Sequence, residues 1–131
     1  ISMTALENVA LPLMFKGVSK EEREQKAMEM LKLVGIDNRY KHKPKEMSGG
    51  QQQRVGIARA FVTDPSVIFA DEPTGNLDSK TTVEVMNLIQ DLVHTKKQTL
   101  IMVTHDSNVA KYSDITVRIS DGRIVSKEYT N

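Results

Sequence analysis

Cysteine is absent from this chain of 131 residues, which excludes a disulfide framework and a thiolate metal site and is consistent with a reducing compartment. Long apolar runs are absent as well, since none approaches the roughly 20 residues that a helix needs to span a bilayer. Neither sign of charge dominates, because the chain has 18 basic and 17 acidic residues. A nucleic acid or other polyanion is therefore not an expected partner. With 39% hydrophobic residues, the chain can bury a core and is expected to form one domain or part of one.

Helices are predicted from apolar spacing and from capping residues. In the first, apolar side chains recur at positions 6, 9, 10 and 13, Thr4 is the candidate N-cap, and Pro12 and Gly17 are expected to end the helix. Ser19 is expected to cap a second helix that ends at Gly35. Three further helices are expected to begin at Ser48, at Asp78 or Ser79, and at Asp106 or Ser107.

Strands are predicted in the second half of the chain. Continuous apolar segments at 66–70 and 99–103 are typical of parallel strands that are covered on both faces. Segments 115–119 and 123–125 alternate in polarity and flank Asp121-Gly122, which is a strong hairpin signal. Because helices come first and strands alternate with helices afterwards, the sequence predicts an α/β domain with an all-helical part on its N-terminal side.

The string Ser48-Gly49-Gly50-Gln51 opens the third predicted helix. A capping box accounts for its serine and glutamine. It does not account for two adjacent glycines, each of which costs about 1 kcal/mol in a helix. Glycines are useful where something must approach the backbone closely, and a helix N-terminus favours an anion. The string is therefore a candidate anion site as well as a cap.

Asp71 and Glu72 directly follow the first apolar strand, at the end of a parallel strand where α/β sheets bind ligands. Adjacent residues on a strand point to opposite faces, so the two carboxylates are expected to have different roles. One can reach Mg²⁺, usually through water, and the other can polarise an attacking water. Pro73 favours an extended backbone at Glu72. The alternative is a simple acidic turn.

His105 follows the second apolar strand and is expected at the same edge of the sheet. A histidine there can hydrogen-bond a phosphate or position a water. The alternative is a polar residue that only closes the strand. Three such signals at one edge of a sheet together favour a nucleotide site.

These residues resemble the motifs of the nucleotide-binding domain of ATP-binding cassette (ABC) proteins. Ser48-Gly49-Gly50-Gln51 matches the family signature, with Met47 where leucine is usual. Residues 67–72 match the Walker B strand. Asn76-Leu77-Asp78 is similar to the D-loop, and His105 falls on the switch histidine.

The resemblance implies the fold of a P-loop NTPase of the ABC type, a parallel sheet with an all-helical subdomain, in which the N-terminal part of the core is missing. It assigns residues 1–47 to part of the helical subdomain and residues 48–131 to the C-terminal part of the ATPase core. Segments 3–9, 73–79 and 121–125 resemble more closely the branch of lipoprotein release and macrolide export.

The resemblance also implies roles for single residues, with ATP and Mg²⁺ as cofactors. Glu72 would be the general base, His105 the catalytic switch, and Asp71 the residue associated with the metal. In the family two domains face head to tail, so the signature of one closes over the nucleotide of the other. The residues implied in nucleotide binding are Ser48, Gly49, Gly50, Gln51 and Asp78.

The implied function is the ATP-hydrolysing subunit of a transporter that powers export or release of a substrate. Its implied partners are a second nucleotide-binding domain and a transmembrane permease contacted through residues 1–47, with no nucleic acid. It would lie in the cytoplasm, peripherally on the inner face of the cell membrane. Two alternatives stay open: a non-transport ABC protein acting on DNA or ribosomes, and a non-catalytic interaction or regulatory module that docks through residues 1–47.

The chain departs from the family in what it lacks. It has no Gly-x-x-x-x-Gly-Lys-Ser/Thr loop to cradle the phosphates, no aromatic base-stacking loop and no family glutamine loop. Because it lacks the part that holds the phosphates, we expect the chain alone not to hydrolyse ATP. Its first residue is Ile1, so we expect it to begin inside a longer protein. The resemblance places the missing phosphate-loop strand between 99–103 and 115–119. We therefore expect unpaired strand edges, and either a rearranged sheet, elements exchanged with a neighbour, or an ordered remnant of a longer protein.

Overall fold

A computed structural model describes residues 2–130. Ile1, from which we expected the chain to begin inside a longer protein, lies outside the described residues. In chain order the elements are α1 (Ala5–Phe15), α2 (Lys20–Leu33), α3 (Gly49–Phe61), β1 (Val67–Asp71), α4 (Ser79–Lys96), β2 (Thr99–Val103), α5 (Ser107–Ala110), β3 (Ile115–Ser120) and β4 (Arg123–Tyr129). Single turns of 3₁₀ helix, Asp37–Arg39 and Pro44–Glu46, lie between α2 and α3. Within residues 2–130, no helix is both long enough and apolar enough to cross a membrane.

The helices begin at side chains that accept a hydrogen bond from the first turn, as predicted. Thr4 Oγ1 accepts from the N–H of Glu7 at 3.2 Å, and Ser19 Oγ accepts from the N–H of Glu22 at 3.3 Å. At α4 the cap is Asp78 rather than Ser79. Such caps satisfy donors that have no partner within the helix, which is why local sequence locates these helix starts well.

The prediction that Pro12 helps to end the first helix is wrong. Pro12 lies inside α1, which continues to Phe15, and the chain turns only at Gly17 with φ +78°. A proline inside a helix costs about 3 kcal/mol because it removes one hydrogen bond and crowds the preceding turn. Buried side chains on both sides of it, Val9 and Leu13, keep the helix packed across this position.

One hydrophobic core joins the helices to a single face of the β1–β2 sheet. Helix α3 packs against α1, α2 and α4. The largest fully buried side chains come from these helices, from the C-cap of α2 and from α5: Phe61, Leu31, Met86, Val9, Val34, Val85 and Val109. Ile68 of β1 is buried with them, and Leu100 and Met102 of β2 pack partly buried against the same core. The core thus holds α3, α4 and the two strands in one framework.

Strands β1 and β2 are parallel, with Phe69 opposite Ile101. The predicted cover on both faces is wrong for residues 2–130. Burial alternates along each strand, and the outward side chains remain exposed, with Phe69 at 76% and Val103 at 60%. The helices of the described chain lie on one face, which explains the alternation.

Strands β3 and β4 form a separate antiparallel hairpin around Asp121 and Gly122, both of which have positive φ, as the turn signal predicted. Within residues 2–130, β2 and β3 do not pair with each other, so each sheet has only two strands. This is the arrangement expected if a strand between them is missing. The expected rearrangement or exchange of elements with a neighbour stays a prediction.

Candidate active site

Glu72 and His105 meet at the carboxyl ends of β1 and β2. His105 Nδ1 lies 2.6 Å from Glu72 Oε1, and the backbone N–H of His105 donates to the same oxygen at 3.0 Å. The hydroxyl of Thr104 donates to the other oxygen, Oε2, at 3.3 Å. Both carboxylate oxygens of Glu72 are therefore held by residues that directly follow β2.

The backbone of Glu72 aims its side chain across the sheet. The predicted extended conformation is wrong, because Glu72 has φ +48°, in the left-handed region. Its N–H donates to the carbonyl of Val103 at 2.8 Å, and its carboxylate is bound by Thr104 and His105. These contacts from the neighbouring strand outweigh the local preference imposed by Pro73.

The Glu72–His105 contact shifts both groups towards their charged forms. The hydrogen bond from the His105 ring, followed by its backbone N–H, lowers the pKa of Glu72 below 4.5, although partial desolvation opposes the shift. The same hydrogen bond and the negative charge of Glu72 raise the pKa of His105 above 6.5. Since an ionised carboxylate only accepts hydrogen bonds, Nδ1 carries the proton and Nε2 is free for another partner. The His105 side chain is 86% exposed, so an incoming ligand can reach it.

This contact makes the site dependent on pH. The contribution of Glu72 to the free energy of unfolding is complete above pH 4.5 and is lost as pH falls through its lowered pKa. The contribution of His105 to the free energy of unfolding is complete below pH 6.5 and is lost as pH rises through its raised pKa.

We expect Glu72→Gln to bring the pKa of His105 back towards 6.5. NMR titration of the imidazole resonances measures this pKa, and the spectrum of His105→Gln assigns the resonance. Glu84→Gln, an exposed change on α4, is the matched control, and an unchanged His105 titration in Glu72→Gln would contradict the expectation.

Asp71 ends β1 with an exposed side chain. Among residues 2–130, no group of three histidine or acidic side chains is arranged to hold a metal ion. A single exposed carboxylate such as that of Asp71 fits Mg²⁺, because Mg²⁺ keeps several waters and is bound through one or two carboxylates together with substrate phosphates. It does not form an all-protein cage for a metal.

Ser48 and Gln51 form the predicted capping box. Ser48 Oγ accepts from the N–H of Gln51 at 3.2 Å, and Gln51 Oε1 accepts from the N–H of Ser48 at 3.0 Å. The Ser48 hydroxyl keeps its own proton to donate. The N–H groups of Gly49 and Gly50 belong to the first turn of α3, where no partner exists within the helix. The structure therefore presents donors at this helix start.

The N-terminal end of α4 lies against the N-terminal end of α3. Asp78 Oδ1 accepts from the N–H of Thr81 at 2.8 Å, and the hydrogen bonds from Thr81 lower the pKa of Asp78. A Cβ added at Gly50 would stand 2.7 Å from Cγ2 of Thr81, and one at Gly49 would stand 3.4 Å from Cδ2 of Leu77. Residues 76–78 and 48–51 thus adjoin each other.

The structure joins some predicted site residues and leaves others apart. Glu72 and His105 are in contact, whereas no hydrogen bond within residues 2–130 links them to Ser48 or Gln51. Thr104 was missed by the sequence reasoning, although its position beside His105 was an available signal. Arg54 was also missed: it donates from Nη1 to the carbonyl of Val34 at 2.8 Å, so it ties α3 to the C-terminal end of α2, and no local pattern reveals that contact.

Comparison with solved structures places the fold among ATP-binding cassettes. The dimeric cassette MJ0796 of Methanocaldococcus jannaschii, described as bound to ADP and Pi, superposes with a TM-score of 0.84 at 44% sequence identity. The match covers 98% of this chain and 57% of that one. The predicted fold class, an ABC-type P-loop NTPase represented in part, is confirmed.

Sequence comparisons agree with the fold. The family model described as ABC transporter matches residues 1–75, which is more than half of the 131 residues, so the chain belongs to the ABC transporter family. It is 49% identical over 123 residues to the lipoprotein-releasing system ATP-binding protein LolD of Geobacter metallireducens, covering 94% of this chain and 55% of LolD. It is 50% identical over 126 residues to the macrolide export ATP-binding/permease protein MacB of Chlorobium phaeobacteroides, covering 96% of this chain and 19% of MacB. The chain therefore spans about half the length of relatives such as LolD, and the predicted likeness to the lipoprotein-release and macrolide-export branch is confirmed.

Proposed function

We propose that this chain is part of the ATP-binding and ATP-hydrolysing subunit of a membrane transporter that exports or releases a substrate. The observation that carries the proposal is the Glu72 carboxylate, held by Thr104 and His105 at the carboxyl ends of two parallel strands in a member of the ABC transporter family. The names of LolD and MacB support the export or release of a substrate. In this role the chain lies in the cytoplasm, against the inner face of the membrane.

Glu72 is the proposed general base. Its carboxylate, which is ionised at neutral pH, accepts a proton from the water that attacks the γ-phosphate. His105 and Thr104 orient this carboxylate through three hydrogen bonds. The free Nε2 of His105, when the ring is protonated, can donate to a phosphate oxygen.

Asp71 is the proposed contact to Mg²⁺. The metal supplies charge neutralisation at the phosphates when it is bound. Asp71 contributes one exposed carboxylate at the end of β1, whereas the carboxylate of Glu72 is bound by Thr104 and His105. One carboxylate can therefore face the metal while the other faces the attacking water.

The helix start at residues 48–51 is proposed to act on a nucleotide held by a second cassette. Ser48 keeps a hydroxyl proton to donate, and the first-turn N–H groups of Gly49 and Gly50 suit a phosphate. Gln51 fixes the loop through the capping box, and Asp78 belongs to the adjoining loop. The dimeric state of the solved MJ0796 cassette supports a pair of cassettes, which we propose to face head to tail as the family resemblance implies.

Residues 1–47 are proposed as the helical part that meets a transmembrane permease, and residues 48–131 as the part that handles ATP. A shallow groove runs between these parts, lined by Asn8, Pro44, Met47, Gln52 and Arg59. Arg59 Nη1 donates to Asn8 Oδ1 at 3.4 Å, so a hydrogen bond joins the two parts at this groove. The combined ATP-binding/permease name of MacB supports a permease partner.

Turnover of ATP tests this proposal. The full-length protein is expected to hydrolyse ATP in the presence of Mg²⁺ and to lose that activity with EDTA. Residues 1–131 alone, shown to be folded by circular dichroism, are expected to release no phosphate above background because they lack a phosphate-binding loop. Turnover by residues 1–131 that Glu72→Gln abolishes would contradict the expected inactivity, and absence of turnover in the full-length protein would contradict the proposed function.

A further inference from the structure

The close contact between α3 and α4 offers a second reason for the glycine at position 50. Gly50 does not have a positive φ, so any residue can adopt its backbone conformation. Alanine is the better helix former at such a position. Conformational freedom therefore does not explain Gly50, and a close approach to its backbone does.

Thr81 makes that approach. Its Cγ2 atom lies 2.7 Å from the place that a Cβ at Gly50 would occupy, which is closer than two carbon atoms tolerate. Threonine is branched at Cβ and divides between two χ1 rotamers in a helix, so this methyl group can leave its place only by a change of rotamer. A side chain at position 50 would therefore require a different Thr81 rotamer or a shift of one of the two helices.

The neighbouring backbone holds Thr81 in place. Its N–H is bound to Asp78 Oδ1 at 2.8 Å, and the N–H of Leu77 is bound to the carbonyl of Thr74 at 3.1 Å. Leu77 lies partly buried against the core and faces Gly49, whose added Cβ would stand 3.4 Å from it. The side chains of Leu77, which precedes α4, and of Thr81, in its first turn, thus lie against Gly49 and Gly50 at the start of α3.

We propose that Thr81 is a positioning residue that locks the loop at 48–51 to the loop at 76–78, so that both move as one unit when two cassettes close on ATP. The inference rests on the proposed function, because it assigns the lock to nucleotide-driven closure. Gly50 supplies the space for the lock in addition to any contact with phosphate. Thr81 itself touches no reacting atom.

A double-mutant cycle in the full-length protein tests the lock. In a Glu72→Gln background, the ATP-driven association of cassettes is measured by light scattering, together with the thermal midpoint of unfolding. Gly50→Ala is expected to weaken association by about tenfold, the size of one overpacked contact. Thr81→Ser alone, which removes Cγ2 and keeps the hydroxyl, is expected to weaken association because it removes the contact with Gly50. The pair Gly50→Ala and Thr81→Ser, in which the new Cβ takes the place of Cγ2, is expected to restore association to within about threefold of the parent.

Thr81→Val is the matched control, because valine keeps a methyl group at this place. Gly50→Ala combined with Thr81→Val should remain as weak as Gly50→Ala alone. The proposal is overturned if Thr81→Ser alone leaves association unchanged, if Thr81→Ser fails to rescue Gly50→Ala, or if Thr81→Val rescues it equally well. If Gly50→Ala does not fold, recovery of a cooperative unfolding transition with Thr81→Ser supports the lock, and continued failure to fold overturns it.

Absence of ATP-driven association in the parent contradicts the proposed function instead. The thermal midpoints of the same variants still decide whether Thr81 excludes a side chain at position 50.

Discussion

Replacing Glu72 with Gln in the full-length protein is expected to lower the turnover of ATP by about 10² to 10⁴-fold, the range typical of a lost general base. Glutamine keeps the size of the side chain and can still accept a hydrogen bond from Thr104 or His105. It cannot take a proton from water. The loss should therefore appear in kcat, with KM for ATP changed little, as measured by phosphate release over a range of ATP concentrations.

The matched control for this prediction is Glu84→Gln, which makes the same chemical change on the exposed surface of α4. Its kcat should equal that of the unaltered protein. Equal thermal midpoints for both variants would show that neither disturbs the fold. If Glu72→Gln keeps more than a tenth of the turnover, another group removes the proton and the assignment of Glu72 is wrong.

Phe61→Ala is expected to lower the free energy of unfolding by about 3–5 kcal/mol, because it removes a large side chain from a packed core. Phe61 is 2% exposed at the end of α3, the helix that contacts α1, α2 and α4. A loss of this size is a large share of the total stability of about 5–15 kcal/mol that is usual for a domain. The shift in the midpoint of urea-induced unfolding of the full-length protein measures it.

Phe15→Ala provides the comparison, since it makes the same substitution at the end of α1, where the side chain is 78% exposed. Its effect should stay within about 0.5 kcal/mol. A loss from Phe61→Ala that is also within about 0.5 kcal/mol would mean that Phe61 is not at the centre of the core in the full-length protein.

Local chemistry in the sequence predicted where the helices begin. Thr4 and Ser19 could be identified, and the cap of α4 narrowed to Asp78 or Ser79, because a cap depends on side chains within three residues of each other. Pro12 misled the prediction because the packing of α1 against other helices outweighs a local breaker. The exposed face at Phe69 was also unpredictable, since an apolar strand is compatible with cover on either face.

The candidate site was predicted in its residues but not in its geometry. Glu72 and His105 were both placed at the same edge of the sheet by the strands that precede them. Their direct contact, and the binding of Glu72 by Thr104, depend on the register of β1 against β2, which no local pattern encodes. Gly50 showed that something approaches the backbone, but only the structure identifies Thr81 as a neighbour.

The positive φ of Glu72 implies a trade-off between stability and activity at this position. A non-glycine residue is strained in the left-handed region, and the strain persists only because Val103, Thr104 and His105 bind Glu72 from the neighbouring strand. Glycine would relax the backbone here but would remove the carboxylate. Selection for thermal stability alone would therefore act against the side chain to which we assign the catalytic step.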